Sequence, residues 1–169
     1  IDGEVKILNR QGKSLVSVKS KANTSNNPIF EYRNTFATTD KDGDLIQIDT
    51  KGNLTKSNLN LRSGHTIDMT SKSLVSFSEN NLLIKGIPVV LPFGNYTPPK
   101  IHYLNNTIYV TLTDLDTQKV YAYYSNGTAV NGFPVYGNSK VDLTNADDDK
   151  AIEMVVQSET NSFLIYQIN

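Results

Sequence analysis

The residues best suited to chemistry lie in one acidic loop near the C-terminal end, where residues 145–153 read NADDDKAIE. Asn145, Asp147 and Asp149 carry side-chain oxygens at every second position, and Glu153 follows four residues later. Such oxygens can converge on one centre, and Ca²⁺ takes about six to eight hard oxygen ligands from flexible loops. The loop therefore indicates either a calcium site or a solvated acidic turn that is capped by its own Asn and Asp side chains.

Two histidines offer a second arrangement of metal-binding type. His65 and His102 stand 37 residues apart, each near the start of an equivalent strand pair. Two histidines and an acid can bind a metal ion, but no third ligand repeats at the same spacing. We therefore expect each histidine to be partnered by nearby backbone groups.

The other acidic clusters favour turns. The run DKDGD at residues 40–44 is followed by Ile46 and Ile48 where further metal ligands would be needed, so we interpret it as a hairpin turn that contains glycine. Asp114 and Asp116, in the sequence DLDTQ, are expected at the surface.

The sequence contains no recognisable catalytic motif. It has no Gly-x-Ser-x-Gly elbow, no phosphate-binding glycine-rich loop and no His-Glu-x-x-His pair. It also has no cysteine, which excludes a thiol nucleophile and a disulfide scaffold. We therefore predict a non-enzymatic domain with no catalytic residues.

Length and composition describe one globular domain. The 169 residues are 38% hydrophobic and 20% charged, and the net charge is −1. A near-neutral chain with scattered lysines favours neither nucleic acid nor an anionic membrane surface. No apolar run approaches the roughly 18 residues of a membrane-spanning helix, so we expect no membrane span in this segment.

Short alternating strands recur through the chain, each followed by a turn and a second strand. Strand-forming and turn-forming residue types dominate, which predicts almost no helix. The copies are EVKILNRQGKSL from Glu4, DLIQIDTKGNLT from Asp44, LLIKGIPVVL from Leu82, KVYAYYSNGTAV from Lys119 and SFLIYQIN from Ser162. A second hairpin with a polar turn lies between consecutive copies.

A period of roughly 40 residues with four strands per unit is typical of β-propeller blades. The sequence predicts two strands, three sets of four, and three final strands, which amounts to four to five blade equivalents within residues 1–169. Either the N-terminal strands complete the last blade of a small ring, or the chain is an arc of a larger ring. A β-sandwich with a similar number of strands is the alternative fold.

One proline-rich loop interrupts the period at residues 92–99, where the sequence is PFGNYTPP. Its aromatic residues Phe93 and Tyr96 are expected to fill the gap between adjacent blades. The alternative is an exposed contact point for a partner.

The sequence NGFPVYG at residues 131–137, followed by VDLTNADDDKAIEMVVQ, resembles the repeat unit of quinoprotein-like and FG-GAP-like propellers. The whole chain resembles the C-terminal β-propeller region of large envelope proteins of Bacteroidetes-type bacteria, a family with no assigned activity. The resemblance implies an extracytoplasmic location, in the periplasm or cell envelope. It also implies that N-terminal blades, and with them a membrane anchor, belong to a longer chain.

The FG-GAP-like resemblance also implies a set of calcium ligands. They are the side chains of Asn145, Asp147, Asp149 and Glu153 and the backbone carbonyl of Ala151. Two departures from that pattern are a neutral Asn at the first position and Lys150 where a glycine makes the sharp turn. A quinone cofactor is not expected, because the chain has none of the tryptophan that stacks on it in related cofactor cages.

The predicted function is that of a scaffold or protein-interaction module of the bacterial envelope. Its partner is either another protein or the N-terminal blades of a longer chain. The alternative is a propeller domain of an enzyme with substrate bound in the axial channel. Convergence of His65, His102 and acidic residues on the axis would favour the enzyme.

Overall fold

The computed structural model describes residues 3–19, 25–147, 149–158 and 161–168. Ile1, Asp2 and Asp148 of the acidic loop lie outside these ranges. The described residues form seventeen β-strands, in five antiparallel sheets of two, four, four, four and three strands. No helix occurs among them, and so none that is long and apolar enough to cross a bilayer.

The N-terminal hairpin consists of β1 (Glu4–Leu8) and β2 (Ser14–Lys19). The three complete blades follow, each a meander of four strands. Their strands are β3 (Phe30–Tyr32), β4 (Thr35–Thr39), β5 (Asp44–Ile48) and β6 (Leu54–Asn58) in the first blade; β7 (Thr66–Met69), β8 (Leu74–Ser78), β9 (Asn81–Ile84) and β10 (Ile87–Val90) in the second; and β11 (Lys100–Leu104), β12 (Thr107–Asp114), β13 (Lys119–Tyr124) and β14 (Val135–Tyr136) in the third.

The C-terminal sheet contains β15 (Asp142–Thr144), β16 (Ile152–Gln157) and β17 (Phe163–Ile168). This arrangement confirms the predicted order of strands and the propeller-like repeat. The N-terminal hairpin forms a sheet of its own and does not pair with β17 in the part of the chain that the structure describes. The N-terminal strands therefore do not complete the C-terminal sheet among the described residues.

Tight turns explain why the sequence folds into short hairpins. Arg33-Asn34 and Asn105-Asn106 occupy the two central positions of their turns with positive φ, between 48° and 60°. Two consecutive residues of this kind produce the twist that suits a two-residue hairpin, and Asn tolerates the conformation well.

The core lies in layers between neighbouring sheets. One layer packs Val75, Leu82 and Ile84 of the second blade against Val110 and Leu112 of the third. Equivalent layers join the first blade to the second and the third blade to the C-terminal sheet. Each sheet therefore depends on its neighbour to bury a face, as expected for propeller blades.

The innermost strands β3, β7, β11 and β15 contact one another in sequence and so line one axis. Asp68 on β7 reinforces this arrangement, because its Oδ2 accepts a hydrogen bond of 2.6 Å from the backbone N–H of Ile101 on β11. Burial raises the pKa of Asp68, and the N–H groups of Ile101 and Met69 partly offset that rise.

Candidate functional site

The acidic loop brings three carboxylates together between β15 and β16. One oxygen each of Asp147, Asp149 and Glu153 lies within 4.8 Å of the other two. The two aspartates are exposed, while Glu153 at the start of β16 is half-buried. The sequence placed these three acids correctly as neighbours, and the triad can hold a hard divalent cation.

The loop's own backbone already engages part of this triad. Glu153 Oε2 accepts a hydrogen bond of 2.8 Å from the Ala146 N–H, and Asp149 Oδ1 accepts one of 2.6 Å from the Ala151 N–H. Asp147 Oδ1 accepts a weaker one, 3.3 Å long, from the Asp149 N–H. Each carboxylate thus has a second oxygen without a hydrogen-bond partner among the described residues, so the turn is capped and a cation could still be bound.

Asn145 contributes to the loop in a different way from the carboxylates. Its Nδ2 donates a hydrogen bond of 2.6 Å to the backbone carbonyl of Asp149, which ties the two ends of the turn together. Its Oδ1 is buried and has no hydrogen-bond partner among the described residues. A buried amide oxygen of this kind is costly unless something pairs with it. The donor set therefore fits a hard cation, and Asn145 and the Ala151 carbonyl remain predicted ligands.

The two histidines are held apart by separate partners. His65 Nδ1 donates to the carbonyl of Arg62 at 2.9 Å, and its Nε2 lies 2.8 Å from Thr39 Oγ1. His102 Nε2 lies 2.9 Å from Thr111 Oγ1. Among the described residues neither belongs to a group of metal-binding side chains. The expected backbone partner is present for His65, while threonine hydroxyls complete the contacts of both rings.

Two of the acidic turns each hold a buried aspartate, Asp114 and Asp40. Asp114 was expected at the surface, and the sequence indicated nothing about the burial of Asp40. Asp114 is 1% exposed; it accepts hydrogen bonds from the Asp116 N–H and the Thr117 hydroxyl. The expectation that Asp114 is a surface residue is therefore wrong, whereas Asp116 is exposed. The cause is local, since a short carboxylate that caps its own turn can be buried with its charge satisfied.

Asp40 repeats the same design in the run at residues 40–44, which forms a hairpin turn as predicted. Its Oδ1 accepts hydrogen bonds of 3.0 Å from the N–H groups of Asp42 and Asp44, and its Oδ2 pairs with Lys56 Nζ at 2.9 Å. Burial raises the pKa of Asp40, but these hydrogen bonds and the Lys56 charge outweigh burial and hold it below its usual value.

The aromatic residues of the proline-rich loop have two different roles. Tyr96 packs between blades, with its ring centroid 5.0 Å from that of Phe77 and 6.0 Å from that of Tyr121. Phe93 is 83% exposed. The gap-filling interpretation therefore holds for Tyr96 and fails for Phe93, whose side chain is open to solvent.

A cleft of about 820 Å³ opens where the innermost strands begin. We call it the axial cleft; it is lined by residues 25–28, 63–68 and 98–100 together with Phe30, Lys41 and Lys140. Three of its lining residues are lysines. Their convergence could not be predicted from the sequence, because each lysine comes from a different sheet. His65 lines the cleft but His102 does not, so the two histidines and the acids do not converge on the axis as the enzyme alternative requires.

The chain is similar to a solved propeller. No protein-family model and no curated protein matches it. The crystal structure of BamB from Moraxella catarrhalis matches with a TM-score of 0.56 and 14% sequence identity. The match covers 99% of this chain and 54% of the BamB chain, so this chain spans about half the length of the protein it resembles. At such low identity the likeness concerns the fold alone, and that fold is the all-β propeller.

Proposed function

We propose that residues 1–169 form the C-terminal propeller part of a longer envelope protein of the Bacteroidetes type and act as a non-enzymatic scaffold or protein-interaction module. The observation that carries this proposal is the open end of the C-terminal sheet. Strand β17 pairs with β16 along one edge and has no strand on its other edge among the described residues. A free sheet edge is a ready template for pairing with another chain.

The outer face of the same sheet is apolar at its centre. Phe163 is 74% exposed and Ile165 is 70% exposed, and Val155 stands opposite Ile165 on the neighbouring strand. Between the other sheets the corresponding faces are buried against the next blade. Contiguous apolar surface of this kind marks an interaction site, so we propose that a further blade of the longer chain or a partner protein covers it.

Thiol labelling tests this proposal, because the chain has no cysteine and any introduced thiol is unique. We expect Ile165→Cys to react readily in the isolated chain of 169 residues and about tenfold more slowly in the full-length protein, where a partner surface covers it. Tyr103→Cys is the matched control, since Tyr103 is 65% exposed on the innermost strand of the third blade and lies outside the C-terminal sheet, so we expect equal reactivity in both forms.

Equal reactivity of Ile165→Cys in the two proteins would contradict the proposed scaffold.

The same variants test the proposed location of the protein in the cell envelope. A maleimide that crosses the outer but not the inner membrane should label Tyr103→Cys in intact cells, and labelling only after lysis would place the protein in the cytoplasm.

Within this domain we propose that the acidic loop binds Ca²⁺ as a structural ion that stabilises the β15–β16 hairpin. Ca²⁺ at about fifty times its dissociation constant would stabilise the fold by about 2 kcal/mol. We therefore expect millimolar Ca²⁺ to raise the Tm by several degrees in a thermal unfolding experiment, since ~2–4 °C corresponds to 1 kcal/mol for a domain of this size.

The double variant Asp147→Asn, Glu153→Gln should lose this response, because two of the three convergent carboxylates are removed. The matched control is Glu31→Gln, Glu79→Gln, which makes the same change in charge at exposed positions outside the loop. An unchanged Tm of the parent protein in millimolar Ca²⁺ would remove the calcium assignment, and the acidic loop would then be a capped turn.

A further inference from the structure

The axial cleft concentrates positive charge in a chain whose net charge is −1. Lys41, Lys100 and Lys140 line it, and Asp68 is the one carboxylate among its lining residues. An even distribution of lysines and acidic residues over the surface would not produce three lysines to one carboxylate. The cleft therefore carries a local positive field that is not visible in the overall charge.

The charges around the cleft are only partly neutralised. Lys100 Nζ lies 2.9 Å from Asp142 Oδ1, and this exposed pair compensates one of the three lysines. Both oxygens of Asp68 accept backbone N–H groups, at 2.9 Å from Met69 and 2.6 Å from Ile101. Lys41 and Lys140 are exposed and have no carboxylate partner among the described residues.

Most of the exposed lining of the cleft is apolar. Phe30, Ile67 and three prolines, Pro28, Pro98 and Pro99, are among its lining residues. Proline has a fixed φ and loses little entropy when a partner covers it. A ligand that suits this surface must have acidic groups separated by apolar groups.

The three lysines belong to different parts of the fold. Lys41 lies in the β4–β5 turn of the first blade, Lys100 begins β11 of the third blade, and Lys140 precedes β15 of the C-terminal sheet. One small anion needs donors that converge on a single point. Cations spread over three different sheets suit an extended chain that crosses the axis and meets them one after another.

We propose that the axial cleft is the docking site for an extended acidic peptide segment of a protein partner. The proposal rests on the function proposed above, because it names the chemistry of one partner of the interaction module. Carboxylates of the segment pair with Lys41 and Lys140, and its apolar residues pack on Phe30 and the three lining prolines. Long-range attraction by the lysines also accelerates the encounter with an acidic segment, and salt weakens it.

Fluorescence anisotropy with a labelled Glu-Pro repeat peptide tests the assignment. A peptide of about ten residues is extended and spans ~30 Å in the polyproline II conformation. We expect it to bind the 169-residue chain, and the double variant Lys41→Ala, Lys140→Ala to bind it about tenfold more weakly through loss of two charge-assisted contacts. Both lysines are exposed and without partners, so this variant should fold normally.

The control is Lys13→Ala, Lys119→Ala, which removes the same charge from exposed positions outside the cleft. Its affinity should stay within about twofold of the parent protein, allowing for the loss of long-range attraction. Equal weakening in the two double variants would mean non-specific attraction and would overturn the proposal.

Two further results would also overturn the assignment. One is the absence of peptide binding to the parent protein. The other is displacement of the peptide by succinate at a concentration equal to the peptide's dissociation constant. Succinate would then bind as tightly as the peptide, which would identify a small-anion site instead. Neither result affects the thiol labelling of Ile165→Cys, so the acidic peptide can be rejected while the open sheet end remains the proposed interaction surface.

Discussion

Replacing Gly43 by alanine is expected to destabilise the domain by about 3 kcal/mol or more. Gly43 has a φ of +82°, and a Cβ there would lie 2.3 Å from the backbone carbonyl oxygen of Leu61 and 2.9 Å from its carbonyl carbon. The obstructing atoms are backbone, so no side-chain rotation relieves the clash. The Gly43 carbonyl also accepts the Leu59 N–H at 3.3 Å, which holds the two segments at this short separation.

Gly86→Ala is the matched control for this prediction. Gly86 has a φ of +85°, but a Cβ at that position meets no atom within 4 Å. The control therefore isolates the cost of the left-handed conformation, which is about 1 kcal/mol. Urea unfolding at constant m-value measures both variants. Equal losses of stability in the two variants would show that the contact with Leu61 does not limit the choice of residue at position 43.

The effect of Gly43→Ala should extend to the axial cleft. The turn that Gly43 closes also contains Lys41, and Asp40 fixes it through the N–H groups of Asp42 and Asp44. Because Lys56 pairs with both Asp40 and Asp44, at 2.9 and 2.8 Å, the turn is also anchored to the outer strand β6. A shift of this turn moves one of the proposed peptide-binding lysines.

The sequence was sufficient to predict the strands and their order because both depend on local signals. Alternating apolar residues such as Val110 and Leu112, and turn pairs such as Asn105-Asn106, act within one hairpin. The period of roughly 40 residues then follows from repetition of the hairpins. The acidic triad was predictable for the same reason, since its members lie within nine residues of one loop.

Features that depend on contacts between sheets were not predictable in this way. Lys41, Lys100 and Lys140 are far apart in the sequence, and only the packing of successive blades places them around one cleft. The burial of Asp114 depends on Gly94, whose Cα faces the carboxylate so closely that a Cβ there would lie 2.7 Å from Asp114 Oδ1. Neither the grouping of the lysines nor the close contact between Gly94 and Asp114 can be predicted from a single sequence.

The open end of the C-terminal sheet was only partly predictable from the sequence. Alternation in SFLIYQIN predicts that β17 has two faces, with Leu164, Tyr166 and Ile168 directed to one side. The structure shows that this side packs against the neighbouring core, while Phe163 and Ile165 are exposed. Sequence alone could not decide which face is covered, because both contain apolar residues.

The second large effect that we expect is a loss of stability on acidification that is caused by His102. Burial lowers the pKa of His102 to about 4, with a smaller contribution from the positive charge of Lys100 and an opposing one from Asp142. Its ring is enclosed, with Nε2 at 2.9 Å from Thr111 Oγ1. The nearest carboxylate oxygen, Asp142 Oδ1, is 3.9 Å from Nδ1 and pairs more closely with Lys100.

The sign follows from the difference between the folded and the unfolded pKa. Unfolded chains take up a proton on histidine at about pH 6.5, whereas the folded protein does so only near pH 4. The unfolded state therefore binds more protons between these values, and stability falls as the pH decreases through that window. The full contribution is present above pH ~6.5, and about 2 kcal/mol of it is lost by pH ~4.5.

Urea unfolding at about pH 7 and pH 4.5 measures this loss. The variant His102→Gln keeps a polar group that can contact Thr111 but cannot take up a proton, so its stability should change by less than about 1 kcal/mol over the same range. Two carboxylates near the ring act in opposite directions, because the pKa is lowered in Asp142 and raised in Asp68, and both are present in the parent protein and in His102→Gln. An equal decrease in the stability of the parent protein and of His102→Gln would show that another group controls the acid sensitivity of the fold.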